Sequence, residues 1–180
     1  MMMSPPSSSH LLPPKMPLPL LYQMTTLSPL GEVLLAATDA GLAGVWFVEG
    51  QMHMPDSSQW LSTEQHPLLL STTEQLTDYF KGQRQTFDLP LATSWGTPFQ
   101  RRVWQALLEI PYGKTTSYGQ IAHAIGNPKA VRAVGAAIGQ NPHSIVVPCH
   151  RVLGANGALT GFAGGLERKH YLLQHEASHT

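Results

Sequence analysis

The spacing of apolar residues changes character once along this chain, near residue 95, and that change sets what the chain can fold into. Between residues 21 and 48 the apolar side chains fall in short β-rich runs, 22–26, 31–37 and 41–48, separated by Ser28-Pro29-Leu30-Gly31 and Thr38-Asp39-Ala40-Gly41. Both separators carry turn residues, so the spacing predicts an antiparallel meander. Residues 51–63 are polar and read as a loop. Residues 67–80 place Leu69, Leu76, Tyr79 and Phe80 on one side of a helix that Gly82 ends. Residues 87–91 read as a last strand and 92–94 as a linker.

From Thr97 onward helical spacing takes over. Thr97-Pro98 supplies an N-cap followed by Pro at the first helical position. Phe99, Val103, Ala106, Leu107 and Ile110 then recur at helical intervals until Pro111-Tyr112-Gly113. Thr116-Ser117 caps a second helix over 118–125, with Ile121, Ala122 and Ile125 inward. Gly126-Asn127-Pro128 turns the chain into a third helix over 129–138, which Gly139-Gln140-Asn141-Pro142 ends. The apolar run Ile145-Val146-Val147 leads into a strand at Cys149, residues 153–165 read as a Gly-rich loop or hairpin, and 166–175 as a final helix. The expectation is an α+β chain in three parts: a Ser- and Pro-rich disordered tail over 1–20, a sheet-and-helix domain over 21–94, and a mainly helical domain over 95–180 that contains a helix-turn-helix.

Charge divides at the same place. Residues 1–94 carry three basic and eight acidic side chains, and residues 95–180 carry eight basic and three acidic, so a neutral chain has halves of opposite sign. A basic C-terminal half suits phosphates; two oppositely charged halves also simply attract, and charge alone leaves both readings open. Apolar stretches are short and broken, and four prolines and one lysine interrupt residues 13–19, so neither a membrane span nor a signal peptide is expected. One cysteine in 180 residues excludes an internal disulfide and fits a reducing, intracellular compartment.

That cysteine sits in Pro148-Cys149-His150-Arg151-Val152. Pro148 stiffens the entry, His150 is a candidate base and Arg151 adds positive charge, neighbours that favour a thiolate nucleophile. The residues alone leave a buried structural thiol equally open. His150 needs a carboxylate to hold its tautomer. The C-terminal half offers Glu109, Glu167 and Glu176, and we assign Glu176. The other histidines have no metal spacing, and no phosphate-binding glycine loop occurs, so neither metal nor cofactor is expected.

The third helix is unusual for a DNA reader. Val131, Val134 and Ile138 form its inner face, while Lys129, Arg132, Gly135 and Ala136 form the outer one. A small-residue face approaches a minor groove closely, and one long Arg132 can enter the base stack as a wedge, which suits binding without sequence preference. The alternative is a face packed on another helix. Tyr118 opens the second helix, where it can meet a base or fill the core.

Together these residues carry a resemblance. The run 148–152, preceded by Asn141-Pro142 and the 129–135 helix and followed by Gly161-Phe162-Ala163-Gly164-Gly165 and Leu172-Leu173-Gln174-His175-Glu176, resembles the O6-alkylguanine-DNA alkyltransferases, also called methylated-DNA–protein-cysteine methyltransferases. The resemblance implies a ribonuclease-H-like N-terminal domain and a winged-helix-like C-terminal domain. It implies direct-reversal repair: one irreversible transfer of a methyl or other alkyl group from O6-alkylguanine to Cys149, with O4-alkylthymine as a further substrate. In that scheme Glu176 orients His150, His150 deprotonates Cys149 through a water, and Tyr118 helps protonate the departing base. Arg132, Lys129, Gly135, Ala136, Thr116, Ser117 and Arg151 face the DNA. Pro148, Val152, Phe162, Ala163, Gly164 and Asn141 form the pocket for the flipped base. The implied partner is double-stranded DNA with alkylated bases, bound through the minor groove by a monomer, in the cytoplasm or, in a eukaryote, the nucleus.

Two departures from the family pattern stand out. Phe162-Ala163 replaces the Tyr-Ser or Tyr-Ala often found there, and the N-terminal domain has no cysteine for the structural zinc some members hold. Three rivals differ in outcome: a relative that binds alkylated DNA without a nucleophile, which the presence of Cys149 argues against; a sequence-specific regulator, which the bare helix face argues against; and a Cys-His hydrolase, which would turn over.

Overall fold

The computed structural model describes residues 19–92 and 95–180. Of the tail expected over 1–20, only Pro19 and Leu20 fall among them, and both are exposed. Residues 93 and 94 of the expected linker also lie outside the described residues.

The N-terminal meander forms as three strands, β1 (Tyr22–Ser28), β2 (Gly31–Thr38) and β3 (Gly41–Phe47), antiparallel in sequence order. Ser28 fixes the first turn: its Oγ accepts from the Leu30 amide at 3.1 Å and donates to the Gly31 carbonyl at 2.7 Å. A short β4 (Leu61–Ser62) adds to β1 in parallel, giving the order β3-β2-β1-β4. It lies inside the segment expected to be loop; an exposed two-residue strand leaves no alternation to read.

Alternate residues of β2 and β3 enter two cores. On one face Val33, Leu35, Val45 and Phe47 pack with Leu69, Leu76 and Tyr79 of α1 (Pro67–Phe80) and with Ile145, Val146 and Leu172 of the C-terminal half. On the other, Leu34, Ala36, Ala43 and Trp46 pack against Trp60 and Trp95. Burial on both faces explains why these strands read as near-continuous apolar runs.

The strand expected over 87–91 does not form. Only Leu91 bridges, to Leu42. Pro90 has no amide for a ladder, but its carbonyl accepts from Leu42 N at 2.7 Å, and Gln75 of α1 holds Asp88 through both its amide and carbonyl.

In the C-terminal half the expected caps form. α2 (Pro98–Leu107) opens on a reciprocal Thr97–Gln100 capping box, and α3 (Tyr118–Ala124) on a Ser117–Gln120 box. α4 (Val131–Gly139) starts two residues later than its spacing predicts, because neither Lys129 nor Ala130 offers a side-chain cap. Its buried residues are Val134, Ala137 and Ile138; Val131, expected in the core, is 40% exposed at the first turn. The segment expected to be a Gly-rich loop or hairpin is a loop: after β6 (Val152–Leu153), which pairs in parallel with β5 (Thr116–Ser117), it makes a 3₁₀ turn, Ala155–Gly157, and no hairpin. The last helix, α5 (Leu166–Ser178), runs three residues past its expected end. Among the described residues no helix is long and apolar enough to cross a membrane.

Gly44 sets a packing requirement in β3. A Cβ there would collide with the Trp46 ring, which lies flat along the same strand face. We predict that Gly44→Ala lowers unfolding free energy by roughly 1–3 kcal/mol through overpacking, read as a lower denaturant midpoint at unchanged slope.

Candidate active site

Residues 149–151 form a single 3₁₀ turn, not the expected strand. The turn is set up by a loop in which Asn141 plays the part of a backbone. Its Oδ1 accepts from His143 N at 3.0 Å, and its Nδ2 donates to the carbonyls of His143 and Val147 at 3.3 and 3.0 Å. Within the loop, buried Ile145 is held at φ +72°, a strained conformation for a β-branched residue. Strand β3 braces it from outside. Val45 N donates to Pro142 O at 2.8 Å, Ser144 N to Val45 O at 3.1 Å, and the His143 ring meets Leu42 O at 2.7 Å. Burial lowers the His143 pKa to about 4, so the ring is neutral and Nε2–H is the donor.

A 3₁₀ turn points successive side chains in three directions. Cys149 faces a cavity of about 380 Å³ bounded by Tyr118, by Gly135, Ala136 and Gly139 of α4, and by Gly161, Phe162 and Ala163. The thiol is 4% exposed. His150 and Arg151 turn the other way, onto Glu176 near the end of α5. His150 Nε2 lies 2.6 Å from Glu176 Oε2; Arg151 grips both oxygens, Nε to Oε1 at 2.7 Å and Nη2 to Oε2 at 3.0 Å. Arg151 also donates to Ile110 O at 2.7 Å.

Two further donors reach the carboxylate from elsewhere: the Tyr79 hydroxyl of α1 to Oε2 at 2.7 Å and the Gly113 amide to Oε1 at 3.4 Å. Burial pushes the Glu176 pKa up, but the hydrogen bonds and charges of His150 and Arg151 outweigh it and hold the group far below the usual carboxylate range. Glu176 is therefore an anion and accepts only, so His150 must donate from Nε2. Burial, the largest influence, lowers the His150 pKa against the pull of Glu176. A neutral ring protonated at Nε2 leaves Nδ1 as an acceptor, and Nδ1 is buried with no hydrogen-bond partner.

The thiol is not a resting thiolate. Burial raises its pKa; the Asn141 hydrogen bond and the Lys169 charge pull the other way but do not prevail. This corrects the expectation that its basic neighbours ionise it: both are turned away and neutralised on Glu176. Arg151 is likewise corrected as a DNA-facing residue, because it is buried in that ion pair.

Of the other expected site residues, Tyr118, Gly135, Ala136, Phe162 and Ala163 converge on the cavity. Pro148, Val152, Asn141 and Gly164 are buried behind it and act as supports. Arg132, Lys129 and Ala136 are exposed on one side, while Thr116 and Ser117 are engaged in β5 and the α3 cap.

Lys169 is the residue the sequence reading missed. Fully buried, its Nζ donates to the carbonyls of Val152, Thr160 and Gly161 at 2.6, 2.7 and 3.0 Å, tying the pocket loop to α5. Burial lowers its pKa to about 8. Its spacing to Leu172 and Glu176 on the inner face of the helix was the available signal.

Residues 98–178 match the family profile described as 6-O-methylguanine DNA methyltransferase, DNA binding domain, and residues 21–93 match that of its ribonuclease-like domain. The chain is 50% identical over 151 residues to the methylated-DNA–protein-cysteine methyltransferase of Methanosarcina acetivorans, covering 84% of this chain and 95% of that protein. It is also 50% identical to the protein of that name from Mycolicibacterium paratuberculosis, covering 85% and 90% of the two chains. The crystal structure of Mycobacterium tuberculosis OGT in complex with DNA superposes with a TM-score of 0.82 at 45% identity, covering 88% of this chain and 94% of that one.

Removing one partner of the buried pair leaves an uncompensated charge. Arg151→Ala is expected to cost about 3–5 kcal/mol of stability, whereas exposed Arg132→Ala should stay within roughly 0.5 kcal/mol; chemical denaturation of both variants checks the contrast. Because the Glu176 pKa is depressed on folding, its contribution is present above the ordinary carboxylate range and is lost as pH falls toward its folded value. Glu176→Gln should flatten that acid-side slope.

Proposed function

The chain belongs to the 6-O-methylguanine DNA methyltransferase family, and from that premise we propose how its own residues carry out direct reversal of O6-alkylguanine damage in DNA. The observation that carries the reading is the placement of the Cys149 thiol on an open cavity, with the His150–Glu176 pair directly behind it.

In this reading the exposed side of α4 enters the minor groove of alkylated duplex DNA. The helix presents almost no side-chain bulk there, so contact is to groove shape and phosphates and is indifferent to sequence. Arg132 fills the stack as the damaged nucleotide swings out into the cavity between α4 and residues 161–163. Gly135 and Ala136 of α4 line the cavity beside Tyr118, which keeps that wall of the pocket low in side-chain bulk.

The chemical step is a displacement at the alkyl carbon. The Cys149 proton passes through a bridging water to His150 Nδ1, and the imidazolium is stabilised by Glu176. Lys169 favours the transient thiolate electrostatically. Sulfur bonds to the alkyl carbon as the carbon–O6 bond breaks, and the electron pair returns to the purine, which takes up a proton. Tyr118 supports this step: its hydroxyl, which donates to Thr160 O at 3.0 Å, lies at the cavity, and burial, which raises its pKa, keeps it a neutral hydrogen-bond donor. The product thioether has no base-labile bond, so each molecule acts once. The protein acts as a monomer beside the chromosome, in cytoplasm or nucleus.

Incubation with a duplex containing O6-methylguanine tests the reading. The peptide carrying Cys149 should gain one methyl, stoichiometrically and without turnover; restored guanine beside an unmodified peptide refutes transfer to sulfur. Cys149→Ala should abolish transfer and keep DNA affinity. For Arg132→Ala we expect slower repair of duplex with little change toward the free base, and equal duplex rates would remove the wedge.

A further inference from the structure

We propose that Tyr79, from the N-terminal sheet domain, is a positioning residue for alkyl transfer: its hydroxyl, bonded to Glu176 Oε2, tempers that oxygen so that His150 stays neutral with Nδ1 free for the Cys149 proton. The inference rests on the transfer reading above and adds a part for a domain that contributes no reacting atom.

Three donors meet at Oε2: His150 Nε2 at 2.6 Å, Tyr79 Oη at 2.7 Å and Arg151 Nη2 at 3.0 Å. The imidazole and the phenol therefore compete for one oxygen. A donor on a carboxylate withdraws charge from it and weakens its pull on any other proton it holds. Arg151 does this too, but as a cation that also balances the ion pair. Tyr79 does it without changing net charge.

The phenol cannot leave this position. Tyr79 is fully buried. Its ring is boxed in by Phe80, Phe87, Tyr112 and His175 at centroid distances of 5.2, 5.6, 6.1 and 5.2 Å. Its carbonyl accepts from His175 Nε2 at 2.7 Å, which pins the end of α1 to the turn of α5 bearing Glu176. Burial and the adjacent carboxylate raise the phenol pKa far above its usual value, so it is always a donor.

The other groups around the pair are Arg151 from the 3₁₀ turn, Lys169 from α5, Cys149 beside His150, and Tyr112 from the segment after α2. Arg151 and Lys169 oppose an imidazolium, and Glu176 favours one. Tyr112 is the natural control. Its hydroxyl is buried close by, feels the Glu176 charge, and has no hydrogen-bond partner.

The test is the pH dependence of single-turnover transfer from an O6-methylguanine duplex, with the His150 imidazole followed by nitrogen NMR on the full chain. In Tyr79→Phe, Oε2 loses a donor and pulls harder on the imidazole. The acid limb and the His150 midpoint should both rise by about half a unit or more, with DNA affinity unchanged. Tyr112→Phe should superpose on the unmodified protein. Site-specific 3-fluorotyrosine at position 79, a stronger donor of nearly the same shape, should move both readouts down, and it serves if Tyr79→Phe folds poorly. Superposable profiles, a downward shift in Tyr79→Phe, or an equal shift in Tyr112→Phe overturns the proposal. Absence of transfer by the unmodified protein would instead overturn the reading it rests on.

Discussion

One buried carboxylate organises this molecule. Glu176 takes donors from the 3₁₀ turn (His150 and Arg151), from the end of α1 (Tyr79) and from the loop after α2 (Gly113). An unpaired anion in that position would be prohibitively costly, and a fully paired one is merely close to neutral in its net effect on stability. What the arrangement supplies is uniqueness. The donors arrive from three separate segments, so the carboxylate can be satisfied only when all three are in register.

The same network decides the chemistry. Because the acceptor is an anion, the imidazole tautomer is fixed, and its second nitrogen is left buried as an acceptor without a hydrogen-bond partner. Because burial outweighs the Asn141 hydrogen bond and the Lys169 charge, the thiol rests protonated. A buried, protonated sulfur is a safe resting state for a nucleophile that reacts once. The Asn141 braces and the strained Ile145 hold it there, and the rigidity of that loop comes in part from strand β3 of the other domain.

Much of this was legible in the sequence, where the cause is local. Caps at Thr97 and Ser117, the end of α1 at Gly82, and the meander turns each depend on neighbours within four residues. The Cys149–His150 run is visible at once, and three acids in the C-terminal half narrowed its partner to a short choice, within which the family resemblance pointed to Glu176. What was not legible depends on long separations or on a single dihedral. Tyr79 reads as one more apolar residue on α1, and its bond to Glu176 spans 97 positions. Arg151 reads as a surface cation because sequence gives no direction to its side chain; the 3₁₀ turn does. Val131 follows the inner-face spacing but sits at a helix start, where no neighbouring element reaches it.

Strand β3 lies at the border of the sheet, and its outward amides are taken up by Pro90 and Pro142. A border strand of this composition, apolar on both faces, is a template for edge-to-edge association when uncovered. The helical half, through Pro142, thus covers one stretch of that border, and the sheet half's own C-terminal segment, through Pro90, covers the other. Severing the chain between them would yield not two working modules but a reaction centre without its brace and a sheet inclined to polymerise.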